Sequence, residues 1–306
     1  VDTDVGVEVR VLMPSPYDRM IGDFLLPRRP FFRDTRIMDA TRSSFDLACW
    51  RGGVPRMSVA HTHDDLEFNT APVELEYLVD GRQVVIPAGA LAVFWAARPH
   101  QLVRDSGGSE LTWLTVPLAQ ARGWRLPGEF LARMFAGDIA VAEAARGPLD
   151  LAERVGSWGE ELRPGHPLRR AAVGEVQAFV LRAAHATAAG ATAGSVAGGL
   201  RADVADMAAW IAEHAAEDVS VAQVAAHVHL HPHHAMAVFR AALGVTIGEY
   251  LAQCRIARAR ELLLTTDEAI PDIAVSAGFG SLSQFYARFR DHTGEAPAAY
   301  RRRHAG

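Results

Sequence analysis

Three imidazoles and a carboxylate are the residues most able to do chemistry. His61 and His63 stand two apart, Glu67 follows four residues later, and His100 comes eleven residues after Gly89. Residues two apart on a strand face the same side, so His61 and His63 converge on one centre and His100 can meet them from a neighbouring strand. Three ring nitrogens and one carboxylate oxygen suit a divalent transition metal such as Zn, Fe, Mn or Ni. The same groups could instead hydrogen-bond the hydroxyls of a small ligand while Trp95 stacks on its apolar face, with Tyr77, Arg98 and Trp113 as further lining residues, Trp113 having plain structural burial as its alternative. Simple buried histidines are the third reading. Residue types and spacing alone leave all three open.

Such a constellation needs strands to carry it, and the first part of the chain supplies them. Val73, Leu75, Tyr77 and Val79 alternate ahead of Asp80-Gly81, a dipeptide suited to a tight hairpin, so this region reads as an antiparallel barrel or sandwich. From about residue 119 the apolar spacing becomes helical. Val173, Val176, Val180 and Leu181 form a stripe that could pack on the β unit or on a second copy of the chain. The Phe24 to Phe32 run, FLLPRRPFF, reads as an arm against the barrel or an ordinary loop. Residues 188–201 are rich in Ala, Gly, Ser and Thr and read as a linker.

Beyond the linker the chain repeats itself. Phe239, Arg240, Gly244 and Tyr250 recur as Phe289, Arg290, Gly294 and Tyr300. One supersecondary unit therefore occurs twice. In the first copy Ser220 and Gln223 form a capping box and Pro232 opens the next helix. In the second, Pro271 opens a helix, Gly278 ends it in a left-handed cap, and Ser281 with Gln284 starts another. Two helices joined by a short turn make a helix-turn-helix. A connecting helix over about Ile247 to Leu264 would set two recognition helices in successive major grooves, roughly 34 Å apart.

The run IPDIAVSAGFGSLSQFYARFRDHTGEAPAAYR, from Ile270 to Arg301, resembles the signature of AraC/XylS-family transcription regulators. That resemblance implies double-stranded DNA as a partner. It places DNA-facing positions at His231, His233, His234 and Ala237 in the first unit, and at Ser281, Leu282, Ser283, Gln284 and Ala287 in the second. Arg240, Arg288, Arg290 and Arg301 would contact phosphates. Gln284 has an equal alternative as the capping partner of Ser281. Phe279, Phe285, Phe289 and Tyr300 read as the core that fixes the second recognition helix. The order H-x-H-x3-E and then G-x10-H is similar to the two cupin motifs, which implies a cupin-like β-barrel in front. A regulator of this family with a cupin in front is similar to sugar-responsive members, which implies a saccharide effector, a homodimer and, for an activator, RNA polymerase as a further partner.

Composition bounds the rest. At 306 residues the chain is long enough for two domains with separate cores, and 49% hydrophobic with 22% charged residues is ordinary for a globular protein. Formal net charge is −5, yet from His231 onward nine Arg stand against seven acids. That permits phosphate contact by this half without demonstrating it. The chain contains no Lys, and its two cysteines, Cys49 and Cys254, form no metal-type pair. No secretory leader is visible over Val1 to Arg10 and no apolar run spans a bilayer, so a cytoplasmic protein is expected, with no membrane partner. The expected organisation is a barrel over 1–118, a helical dimerisation segment over 119–187, the linker, and an all-α double helix-turn-helix over 202–306. A metal-dependent cupin enzyme with an accessory tail is the rival; the specificity of the tail argues for a regulator and against an enzyme.

Overall fold

The Asp80-Gly81 dipeptide forms the turn its composition demands. Both residues have positive φ, 48° and 77°, and the flanking Val79 and Arg82 pair across the hairpin. The computed structural model describes residues 43–53, 56–104, 107–142, 147–188 and 200–304. The Phe24 to Phe32 run and most of the predicted linker lie outside the described residues.

Eight strands build the front domain: β1 (Ala48–Gly53), β2 (Asp65–Thr70), β3 (Leu75–Val79), β4 (Arg82–Ile86), β5 (Leu91–Trp95), β6 (His100–Leu102), β7 (Glu110–Pro117) and β8 (Ala140–Ala142). They form a five-stranded antiparallel sheet in the order β1-β7-β2-β5-β8 and a three-stranded one in the order β4-β3-β6. The expected barrel is therefore corrected to two facing sheets. Closure would require the edge strands to pair, and among the described residues the strands of one sheet do not pair with those of the other. An isolated bridge between His61 and His100 extends the β6 edge.

Each face of the larger sheet buries a different core. Towards the smaller sheet lie Phe94 and Trp113, packed with Tyr77, Ile86 and Leu102. On the opposite face Leu66, Val93, Trp95 and Leu114 meet the helices. These are α1 (Leu118–Gly123), α2 (Gly128–Phe135), α3 (Leu151–Glu161) and α4 (Arg169–Ala188). The stripe on α4 is spent here: Val176 and Val180 are fully buried in this core, with Val173 and Leu181 packed at its margin. The helical stretch is also interrupted by β8, which returns to the edge of the large sheet.

Behind this domain follow α5 (Ala202–Glu213), α6 (Val221–His227), α7 (Pro232–Leu243), α8 (Ile247–Thr265), α9 (Ile270–Ser276), α10 (Leu282–Thr293) and α11 (Pro297–His304). The pairs α6–α7 and α9–α10 are the two repeated units, and their caps explain their boundaries. Ser220 and Gln223 satisfy each other reciprocally, whereas Ser281 only accepts from the Gln284 amide. Gly244 and Gly294 both adopt left-handed φ, 71° and 77°, and donate their amides to Arg240 and Arg290. The ring pairs repeat too, Phe239 with Tyr250 and Phe289 with Tyr300, each at 5.5 Å and edge-on. Among the described residues no single helix is long and apolar enough to cross a membrane.

The two domains share a core. Ala60, Leu78 and Val103 of the front domain pack in one cluster with Val204, Met207, Phe239 and Tyr250. The hairpin tip at Gly81 reaches α5 so closely that a Cβ there would lie 2.6 Å from the Ala208 carbonyl oxygen. Glycine is required at that position for both its φ and its contact.

Candidate functional site

The DNA-facing candidates lie along two helices. On α7, His233, His234, Ala237 and Arg240 are exposed, on the side away from buried Ala235 and Phe239. His231 is the N-cap: its Nδ1 accepts from the His233 amide at 3.3 Å and its ring stacks on that of His233 at 5.5 Å. On α10, Ser281, Leu282, Ser283, Gln284, Ala287 and Arg290 are exposed, while Phe285 and Phe289 are buried. Met236 and Tyr286 are also exposed on these faces and were missed in the sequence. Their spacing from the buried positions would have found them, since each follows directly on a core residue.

Four arginines differ in what they hold. Arg240 and Arg290 are exposed at equivalent places in the two units. Arg288 is half-buried and pairs with Glu249 at 3.3 Å, which ties α10 to α8. Arg301 donates from Nε and Nη2 to the carbonyl oxygens of Leu263 and Glu268, at 3.3 and 2.7 Å. Leu263 lies in the last turn of α8, where a helix leaves its acceptors unpaired, and Glu268 in the loop that follows.

The His/Glu set comes together inside the front domain. His61, His63, Glu67 and His100 are all 2% exposed or less. His63 Nε2 lies 2.9 Å from Glu67 Oε2, and His100 Nε2 lies 3.6 Å from the same oxygen. Sheet register explains the rest. Glu67 pairs with Phe94 and Thr115, and Asn69 with Trp113, so these side chains share the face that looks at the smaller sheet. Asn69 donates to Glu67 Oε1 at 2.9 Å and to the Tyr77 hydroxyl at 3.3 Å. Trp113 stacks on Trp50 at 5.9 Å.

Two expected lining residues stand elsewhere. Trp95 is one residue beyond Phe94, and the alternation of a strand turns it to the opposite face, where it packs edge-on against Phe135 at 5.1 Å. Arg98 reaches away to Asp80 at 3.2 Å and to Glu261 of α8 at 2.6 Å, an ion pair between domains. Only its carbonyl oxygen serves the site, facing His100 Nδ1 at 3.0 Å. The sequence reading missed Asp65, Asn69 and Phe94. Continuing the two-residue alternation through Asp65, Glu67 and Asn69 would have found the first two.

Burial and neighbours split the histidines. Burial, reinforced by the other two imidazoles, pushes the His61 pKa well below its ordinary value. Burial likewise lowers His100 to about 4, against the pull of Glu67. For His63 the burial penalty is overcome by hydrogen bonds to Asp65 and Glu67, which raise it to about 9. Burial would raise Glu67, but its contacts with His63 and His100 hold it down at about 2. Two neutral rings, one cation and one carboxylate result, a set able to donate to and accept from ligand hydroxyls.

Immediately beside this set the domains are joined by polar contacts. The Tyr300 hydroxyl donates to Asp64 Oδ1 at 2.8 Å, and His304 Nε2 lies 3.2 Å from Asp64 Oδ2. The Ala60 amide donates to the Leu243 carbonyl oxygen at 2.8 Å, at the end of α7.

Known proteins match this architecture. A Helix-turn-helix domain family model matches residues 224–303. The chain is 30% identical over 258 residues to the Melibiose operon regulatory protein of Escherichia coli (strain K12), covering 80% of this chain and 84% of that one. It is 32% identical over 98 residues to the HTH-type transcriptional activator AarP of Providencia stuartii, covering 32% of this chain and 73% of that one. Among solved structures, the DNA-binding domain of AdpA in complex with a target DNA shares 31% identity, covering 33% of this chain and 90% of that one, at a TM-score of 0.32. The relatives are transcription regulators, so the enzyme reading of the His/Glu set is set aside. With its duplicated helix-turn-helix and a relative matched over 80% of its length, the chain belongs to the AraC/XylS family of DNA-binding transcription regulators.

Proposed function

We propose that this regulator answers a saccharide held between the two sheets of its front domain, beside His61, His63, Glu67 and His100. One observation carries this reading: Asn69 Oδ1 and Trp113 Nε1 are buried there without hydrogen-bond partners, on the face that also presents Glu67 and opposite Tyr77 of the smaller sheet. Buried polar atoms are normally satisfied, and an unsatisfied acceptor and donor beside an indole face match the alternating hydroxyl and apolar surfaces of a sugar. The likeness to the Melibiose operon regulatory protein supports the same class, and α-galactosides are the first sugars to test.

Base contacts come from His233, His234 and Ala237 on α7 and from Leu282, Ser283, Gln284 and Ala287 on α10, with Arg240 and Arg290 on phosphates. His231 and Ser281 act mainly as caps. The effector acts by its different affinity for two arrangements of the domains, which alters how the two helix-turn-helix units occupy DNA. A homodimer would double this reading over two half-sites, and as an activator the protein would contact RNA polymerase.

Calorimetric titration of the full chain with a saccharide panel tests the effector. Saturable binding that Glu67→Gln and Asn69→Ala abolish, with the fold retained, is expected. Binding unaffected by both substitutions would overturn the assignment.

A further inference from the structure

The two helix-turn-helix units are alike in frame and unlike in charge. Over residues 270–294 the second unit carries Asp272, Arg288, Arg290 and Asp291 as fixed charges. Over residues 221–244 the first carries Arg240 alone, no acid, and five histidines: His227, His229, His231, His233 and His234. All five are exposed. Among the described residues the histidines within ion-pair distance of a carboxylate are His63, His100, His292 and His304, and none of the five is among them. Where the first unit has His231, His233 and His234, the second has Ser281, Ser283 and Gln284.

His229 is held at a backbone cost. It follows α6 in the turn, where its amide donates to the Ala226 carbonyl oxygen at 3.1 Å and the Leu230 amide to that of Ala225 at 2.9 Å. The second unit makes the same pair of bonds from Gly278 and Phe279. Both turn residues take left-handed φ, 88° at Gly278 and 56° at His229, a conformation that disfavours a side chain. A strained residue in an exposed turn points to a use for its side chain. Two of the other rings are already engaged. His231 Nδ1 caps α7 by accepting from the His233 amide, which needs an unprotonated nitrogen, and His227 lies beside Trp210 with ring centroids 5.8 Å apart.

The charges behind this unit do not pair with it. α5 and α8 pack there through Ile211, Phe239 and Tyr250. They bring Asp206 and Glu213 on α5, His214, Glu217 and Asp218 in the loop that follows, and Arg255 on α8, which donates to the Ala215 and Glu217 carbonyl oxygens at 2.8 and 2.7 Å. Glu249 of α8 pairs instead with Arg288 and His292 of the second unit. The front domain meets α7 at the far end of the helix, at Ala242 and Leu243, with Asp80 and Arg98 paired to each other.

We infer that the first unit grips DNA through a proton-linked contact: the negative potential of the duplex draws protons onto His229, His233 and His234, and occupancy rises as pH falls. This rests on the reading of α7 as a DNA-contacting helix. Imidazole ordinarily gains its charge near about pH 6.5, and only the charged ring donates from both nitrogens to phosphate or base acceptors. The α7 dipole opposes a cation at the helix N-terminus, and a neighbouring phosphate offsets that opposition. A ring that charges more readily in the complex than in the free chain strengthens binding below its free titration range, and the gain fades as pH rises through the range of the complex.

The test uses the full chain without saccharide, on the duplex footprinted upstream of its own gene, with fluorescence anisotropy at about pH 6 and about pH 8 and one fixed salt concentration. The wild type should bind at least about tenfold more tightly at the lower pH, the gain from one ring raised by one unit. Its salt slope should be steeper there by roughly one per charged ring. His229→Asn/His233→Gln/His234→Gln, with Asn chosen for the left-handed position, should bind nearly equally at both pH values. His185→Gln, exposed on α4, should keep the full wild-type ratio. Calorimetry in two buffers of different ionisation enthalpy counts the protons: the wild type should take up about one to three on binding DNA, and the triple variant none. Specific binding with one affinity and one salt slope at both pH values would overturn the proton linkage and leave the DNA reading standing. A pH ratio that survives in the triple variant would overturn the assignment to α7. No proton uptake by the wild type would overturn the linkage even where the variant fails to fold. A chain with no specific footprint would remove the DNA reading of α7 and this inference with it.

Discussion

Tyr300 reaches across 236 residues of sequence to donate its hydroxyl to Asp64 at 2.8 Å, and Asp64 stands between His63 and Asp65. The same tyrosine packs edge-on against Phe289, the aromatic centre of the second helix-turn-helix unit. One side chain thus belongs to the core that shapes a recognition helix and to the contact that fastens that unit beside the candidate effector site. Asp64 is held ionised there: burial opposes its charge, but His304, Arg260 and Tyr300 lower its pKa nonetheless. Tyr300→Phe preserves the ring and deletes the bond. It should cost about 1–3 kcal/mol, the penalty for a buried acceptor deprived of its donor. Urea denaturation of the full chain reads the loss, and an unchanged midpoint would show that the contact carries no stability.

Gly244 and Gly294 make a matched pair. Both have left-handed φ, but a Cβ on Gly244 would clash with the Ser58 carbonyl oxygen of the front domain, whereas one on Gly294 meets nothing within 4 Å. Gly294→Ala should therefore cost only the backbone penalty, roughly 1–2 kcal/mol. Gly244→Ala should cost more and should also expose the interdomain contacts to limited proteolysis. Equal costs and equal proteolysis would mean that the docked arrangement is not the one populated in solution.

Arg290 and Arg301 should separate contact from scaffold. Arg290→Ala should weaken binding about uniformly across DNA sequences and reduce the salt slope by roughly one. Arg301→Ala should leave that slope unchanged, because its guanidinium is committed to the carbonyls of Leu263 and Glu268. A reduced slope in the Arg301 variant would restore it to the DNA surface.

Phe289 is fully buried among Phe285 and Tyr300. Phe289→Ala should lose about 3–5 kcal/mol. Thermal melting measures this directly, and a variant that melts with the wild type would mean the second unit has another core.

The helical half was legible because its signals are local. Ser220, Pro232, Gly244, Gly278 and Gly294 each impose a cap or a turn through their own backbone chemistry, and the repeat states the pattern twice. The Asp80-Gly81 hairpin was legible for the same reason. What escaped is what depends on pairing between distant strands. Trp95 was drawn into the pocket although strand parity places Phe94 there, because parity becomes useful only once Glu67 is known to oppose Phe94. Arg98 lies close to His100 in sequence, but its partner Glu261 lies 163 residues away, and no local pattern announces it. The barrel failed on the same ground, since closure is decided by edge strands and not by the motifs between them.

The most direct test of effector-controlled DNA binding is a footprint of the full chain on the DNA upstream of its own gene, with and without a saturating α-galactoside. A sequence-specific footprint whose extent or affinity shifts with the sugar, and stops shifting in Glu67→Gln, is the predicted result. A specific footprint that no saccharide of the panel alters, or that shifts equally in Glu67→Gln, would contradict it.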